Sequence, residues 1–111
     1  MKLITAVVTP AEFEAVKKAL DIFGITGMTI TEVFQRDLTG GRDHVYRGRR
    51  FHIDLLPHVR IELVVPDRDA ADLIRIIMKL ASPRGCAVHI WITPVETVTR
   101  VRTGERGTDA L

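Results

Sequence analysis

His58-Val59-Arg60-Ile61-Glu62-Leu63-Val64-Val65-Pro66-Asp67 decides the fold. Val59, Ile61, Leu63 and Val65 recur at every second position, the period of a strand with one buried face. At Pro66-Asp67 the period changes. Ala70, Leu73, Ile74, Ile77, Met78 and Ala81 form a stripe at helical spacing, and Ser82-Pro83-Arg84-Gly85 breaks it. Val88 to Ile92 reads as another strand, ended by Pro94. Strand, helix and strand make one βαβ unit.

The same unit lies upstream. Residues 2–8 are apolar and β-branched, a strand candidate. Thr9-Pro10 reads as a helix start, with Glu12 completing a capping-box pattern. Phe13, Val16, Ala19, Leu20 and Phe23 follow at helical spacing, and Gly24 is the expected stop. Gly27 opens a strand from Met28 to about Arg36. Residues 37–50 read as a long loop, Phe51 to Leu56 as a return to the sheet, and Pro57 as an interruption. Residues 98–102 read as a short fifth strand, and the chain from Thr103 on as a polar tail. Two βαβ units joined by a loop point to an α+β fold. It is the ferredoxin-like split βαβ (βαββαβ) sandwich, an antiparallel sheet with both helices on one face. The uncovered sheet face is expected to be buried by oligomerisation.

Composition narrows the function. The 111 residues, 46% hydrophobic and 27% charged, suit one globular domain spanning 1–111. A net charge of +2 is too small to make nucleic acid or an anionic membrane the main partner. No apolar run approaches the roughly 18–20 residues of a membrane helix, and the N-terminus lacks the features of a signal peptide. One cysteine, Cys86, excludes an internal disulfide framework. These features fit a cytoplasmic protein.

The residues alone offer no catalytic constellation. His44, His52, His58 and His89 have no zinc-finger spacing, and there is no CxxC, so no metal site is expected. Gly40-Gly41 matches no phosphate-loop pattern and reads better as a flexible hinge than as a phosphate cradle. Arg36, Arg42, Arg47, Arg49 and Arg50 against Asp37 and Asp43 give the loop region a local +3, suited to an acidic partner, a phosphate or plain solvent. Arg100 and Arg102, read as alternating on a strand, would point the same way and suit a phosphate fork.

Several segments resemble the PII nitrogen-regulatory signalling superfamily. Gly24-Ile25-Thr26-Gly27-Met28-Thr29-Ile30-Thr31-Glu32-Val33 is similar to its first helix-to-strand junction. Tyr46-Arg47-Gly48 resembles the centre of its long T-loop, between the second and third strands. Asp54 to Asp67 resembles the strand that follows, and Val98 to Glu105 the C-terminal segment. The resemblance runs nearly end to end and implies a homotrimeric, non-enzymatic sensor. An adenine nucleotide would lie in each inter-subunit cleft, and a T-loop (about 35–53) would dock on a transporter or enzyme. By this resemblance, Gly27, Met28, Thr29, Glu62 and Val64 would hold the adenine, and Arg100 and Arg102 in the C-terminal segment (98–111) would reach the phosphates. Arg42, Tyr46, Arg47, Arg49 and Arg50 would meet the partner.

The departures from the family pattern carry their own expectations. The phosphate-cradling B-loop (82–89) of the family has a Thr-Gly…Gly-Asp-Gly-Lys pattern. Here Ser82-Pro83-Arg84-Gly85-Cys86-Ala87-Val88-His89 keeps only Gly85 as a glycine. Backbone amides need glycine freedom to wrap a phosphate. ADP or AMP is therefore favoured over ATP, with Arg84 and His89 as replacement cations. Thr39 replaces the family's metal- and 2-oxoglutarate-coordinating glutamine, and His58 replaces the lysine that pairs with the oxoglutarate carboxylate. The modified tyrosine aligns with Phe51, which has no hydroxyl, and the phosphoserine position aligns with Arg49. The reading is a divergent PII-like regulator without the family's usual 2-oxoglutarate sensing or tyrosine uridylylation. Its alternatives are a bicarbonate-responsive regulator of carbon metabolism and a structural trimeric adaptor that has lost nucleotide binding.

Overall fold

The computed structural model describes residues 1–36, 42–46, 48–53, 55–81 and 89–111, with 42–46 and 49–53 described as backbone. In chain order the elements are β1 (Lys2–Val8), α1 (Pro10–Phe23), β2 (Thr29–Arg36), β3 (Arg42–Tyr46) and β4 (Arg49–Ile53). Then follow β5 (Leu55–Val65), α2 (Asp67–Ala81), β6 (His89–Pro94) and a 3-10 turn at Gly107–Ala110. The main sheet has the order β2-β5-β1-β6, with every neighbouring pair antiparallel. Each βαβ unit is thus split by a strand of the other. This is the ferredoxin-like arrangement.

The alternation read from the sequence explains the layers. Ile4, Ala6 and Val8 of β1 and Ile61, Leu63 and Val65 of β5 are buried with Val16 and Leu20 of α1 and Ala70, Leu73, Ile77 and Ala81 of α2. Each large side chain buried in this layer contributes about 1.5–3 kcal/mol. The exposed Arg75–Asp72 ion pair, 3.2 Å apart on α2, is a surface helix pair worth only ~0.2–0.5 kcal/mol. Apolar burial therefore decides how the helices sit. The amine of Met1 meets Asp67 Oδ1 at 2.8 Å, tying the start of β1 to the start of α2. The hydrogen bond from this amine holds the Asp67 carboxyl below its ordinary value of 3.8, against the opposing effect of desolvation.

Helix α1 ends in a Schellman motif. Gly24 has φ 109°, its amide donates to the Asp21 carbonyl at 3.1 Å, and the Ile25 amide donates to Leu20 O at 2.9 Å. Ile25 then packs on the core. Only glycine adopts that φ without penalty, so the sequence stop at Gly24 has a geometric cause. The start of α1 differs from expectation. Thr9 is the N-cap with extended backbone, but its side chain makes no capping hydrogen bond. The Glu12 amide donates instead to the Thr9 carbonyl at 3.1 Å, so the capping box does not form.

Three further expectations need correction. First, the stretch read as a long loop contains the antiparallel pair β3–β4, a second sheet with Tyr46 opposite Arg49 and Arg42 opposite Ile53. Phe51 to Ile53 therefore pair with β3 rather than with the main sheet, which β5 joins from Leu55. Gly48, with φ 76°, supplies the left-handed turn conformation between the two strands.

Second, Pro57 does not interrupt β5: it pairs with Phe34 inside the strand. The β1 partners of β5 reach only as far as Val59, so Pro57 has a strand on one side alone, where its missing N–H is tolerated. Third, residues 98–102 do not form a strand. A single bridge joins Thr99 to Arg106, and 101–103 form a turn. The tail is folded too: Gly104 and Gly107, at φ 74° and 68°, turn the chain back.

Candidate functional site

A cleft forms where β5 outruns β2. Thr29, the first residue of β2, pairs with Glu62, so Leu63 to Val65 have no β2 partner. On their other side they pair with Ile4, Leu3 and Lys2 of β1. The chain leaving the Schellman turn passes this edge through Gly27 and Met28. The resulting cleft, about 390 Å³, is lined by Leu3, Gly27, Met28, Thr29, Glu62, Leu63 and Val64.

Five of these, Gly27, Met28, Thr29, Glu62 and Val64, are the residues expected to meet an adenine. A small ligand pocket starts at roughly 300 Å³. The lining of this cleft mixes apolar residues (Leu3, Met28, Val64) with polar ones (Thr29, Glu62), and a strand edge presents alternating N–H and C=O groups. That combination suits a flat heteroaromatic ring with hydrogen-bonding edges. A Cβ on Gly27 would meet nothing within 4 Å, so the glycine leaves the mouth of the cleft open. Leu3 was missed from the sequence because its place depends on which strand neighbours β5.

Glu62 is half-buried, and Arg60 Nε lies 3.2 Å from its Oε1. Among the described residues the Arg60 Nε–H finds no well-directed hydrogen bond, so this is an ion pair by proximity. It holds the carboxylate on the sheet surface beside Thr29.

The expected phosphate groups do not line this cleft. His89 is exposed at the start of β6, opposite Val7 and at the far edge of the sheet from β2. Arg100 and Arg102 do not alternate on a strand, because Arg102 lies in the turn over 101–103. Arg100 is held by its own segment: its Nη2 donates to Leu111 O at 3.0 Å, and Nη1 lies 3.9 Å from Glu105 Oε2. Arg84 and Gly85, with the rest of 82–88, lie outside the described residues. So do Thr39 and Arg47. Arg42 and Tyr46 stand at the two ends of β3, while Arg49, Arg50 and Phe51 open β4.

His58 is buried, at 4% exposure, and its Nδ1 lies 3.1 Å from the Leu56 carbonyl. A carbonyl only accepts, so Nδ1 carries the proton and donates. The buried Nε2 has no hydrogen-bond partner among the described residues. A cavity of about 360 Å³ beside it is lined by Pro10, Glu32, Val33, Phe34, Pro57, His58 and Val59. Among the described lining residues Glu32 is the acidic one, and its sign opposes a dicarboxylate. Among the described residues no group of three or more His, Cys, Asp or Glu side chains is placed to hold a metal ion. No described helix is long and apolar enough to cross a membrane.

The family model for nitrogen regulatory protein P-II matches residues 1–105 of the chain. The chain belongs to the P-II family. Its relatives span its whole length. It is 43% identical to nitrogen regulatory protein P-II 2 of Methanothermobacter thermautotrophicus, covering all of this chain and 97% of the relative. It is 40% identical to nitrogen regulatory protein P-II of Azospirillum brasilense and 38% identical to that of Pasteurella multocida, covering all of both chains in each case. This P-II chain therefore belongs to a family of regulatory signalling proteins. The ferredoxin-like sheet is the frame on which it sets its cleft.

Proposed function

We propose that this P-II family protein binds an adenine nucleotide and passes its occupancy to a partner protein through residues 35–53. The observation that carries the reading is the cleft, whose lining gathers Gly27, Met28, Thr29, Glu62 and Val64 around an unpaired strand edge. Among the described residues that line it, none is a lysine or arginine. A nucleotide with its base there needs cations from elsewhere. A homotrimer meets the need: the cleft lies between subunits, and a neighbouring copy brings Arg100, Arg102, Arg84 and His89 toward the phosphates. ADP or AMP is favoured over ATP, because the B-loop keeps a single glycine, Gly85.

The usual 2-oxoglutarate response is absent in this reading. His58 is buried with its Nδ1–H bonded to Leu56, and Glu32 faces the adjacent cavity. Phe51 leaves no hydroxyl for uridylylation at the usual position. Regulation follows from a population shift: nucleotide changes partner choice only as far as it binds one hairpin state better than another. The basic residues Arg42, Arg49 and Arg50 on β3 and β4, with Tyr46 and Arg47, form the partner-facing set.

Calorimetric titration with ATP, ADP and AMP, each with and without 2-oxoglutarate and bicarbonate, tests the reading. The expected result is binding of ADP or AMP that 2-oxoglutarate leaves unchanged. Strengthening by bicarbonate would extend the reading to a regulator of carbon metabolism. ATP binding strengthened by 2-oxoglutarate would overturn the effector assignment. Absence of any nucleotide binding would overturn the reading and favour a structural adaptor.

A further inference from the structure

We infer that the C-terminal segment of this protein acts as a built-in competitor for the phosphate of its ligand, occupying Arg100 until a nucleotide displaces it. The inference rests on the proposal that Arg100 serves the nucleotide. Its basis is the contact set of the segment itself.

Residues 98–107 form a closed reversal. The Arg100 amide donates to Glu105 O at 2.8 Å, the Gly104 amide to Arg100 O at 2.7 Å, and the Gly107 amide to Val98 O at 2.9 Å. Gly104 and Gly107 take φ values of 74° and 68°, which make the reversal possible. The 3-10 turn at Gly107–Ala110 then carries Leu111 back over the strap, closed by Leu111 N–H to Thr108 O at 3.3 Å. Two acceptors converge on one guanidinium as a result: Leu111 O on Nη2 at 3.0 Å and Glu105 Oε2 near Nη1 at 3.9 Å.

A guanidinium binds phosphate through the same paired N–H groups. Leu111 O therefore takes up an Nη2 N–H that a phosphate oxygen would use, and Glu105 sets a competing negative charge beside the same guanidinium. The Arg100 and Glu105 side chains are 42% and 46% exposed, so the internal contact is solvent-screened and weak enough to yield. A phosphate competes for it on charge, whereas adenosine does not. The strap thus selects for phosphorylated ligands strong enough to open it. Its opening changes the shape of the C-terminal surface when ligand binds.

The test is a set of ADP and adenosine titrations on wild type, Glu105→Gln, a chain lacking 108–111, and both changes in an Arg100→Ala background. Deleting 108–111 is expected to tighten ADP about threefold to tenfold, the scale of an exposed charge-assisted contact, and to leave adenosine unchanged. Glu105→Gln is expected to act in the same direction, and it leaves the backbone reversal intact should the deletion disturb folding. Neither change should alter ADP affinity once Arg100 is alanine, by the logic of a double-mutant cycle. Unchanged ADP affinity in both Glu105→Gln and the deletion would overturn the competitor role while leaving nucleotide binding in place. Tightening that persists without Arg100 would also overturn it. If wild type and every variant ignore ADP, the nucleotide reading itself fails, and this inference fails with it.

Discussion

Replacing Gly24 and Gly27 separately by alanine tests how local backbone geometry builds the cleft. The two glycines are three residues apart and face opposite demands. A Cβ at either position meets nothing within 4 Å, so neither change is opposed by a clash. Gly24 has φ 109°, whereas Gly27 shows no positive φ. An L-residue held in the left-handed region costs roughly 1–2 kcal/mol. Gly24→Ala should therefore destabilise by about that amount through strain in the Schellman turn alone.

Gly27→Ala should change stability by less than about 0.5 kcal/mol, the usual scale of an unstrained surface change. Gly27 lines the cleft, however, so the added methyl group should weaken nucleotide binding. Urea unfolding followed by the fluorescence of Trp91, the single tryptophan, reads the first effect, with all variants at one protein concentration. Nucleotide titration reads the second. Equal unfolding midpoints for Gly24→Ala and wild type would refute the strain argument. A stability loss in Gly27→Ala matching that of Gly24→Ala would refute the distinction between them.

Three other outcomes follow from the structure. Leu73→Ala removes a fully buried side chain between the helices and the sheet and should cost about 2–5 kcal/mol in the same urea assay. Because the fold lowers the Asp67 carboxyl below 3.8, its contribution to stability is fully present above about pH 3.8 and fades as pH falls through the lowered value. The stability difference between wild type and Asp67→Asn, measured by thermal melts across pH 2–6 (about the range of carboxyl titration), should therefore shrink at the acid end. Incubation with a P-II uridylyltransferase should leave the mass unchanged, and a one-nucleotide increase mapped to Tyr46 would contradict the role given to Phe51.

Periodic burial is what made most of the fold legible. Val59, Ile61, Leu63 and Val65 announce β5, and Ala70, Leu73, Ile77 and Ala81 announce α2, because each set packs on the same core. The β3–β4 ribbon lies outside the main sheet, so its residues show no core-facing period. A usable signal was present: Gly48 lies between Val45-Tyr46 and Phe51-His52-Ile53, a glycine between two β-forming stretches. The C-terminal reversal was hidden for a related reason. Arg100 and Arg102 read as alternating partners because Gly104 and Gly107 were not recognised as left-handed turn positions. Gly27, Met28, Thr29, Glu62 and Val64 were named through the resemblance to the P-II family, because periodicity by itself marks them only as a turn into one strand and as positions on another. Leu3 and the internal hold on Arg100 were not, because they depend on strand order and chain reversal.

Photolabelling with 8-azido-ADP, followed by peptide mapping, tests the central claim most directly. The account predicts label on the peptides carrying residues 27–29 or 62–64, with loss of label when unmodified ADP competes. Label confined to other peptides, or label that ADP does not displace, would contradict the assignment of this cleft as the nucleotide site.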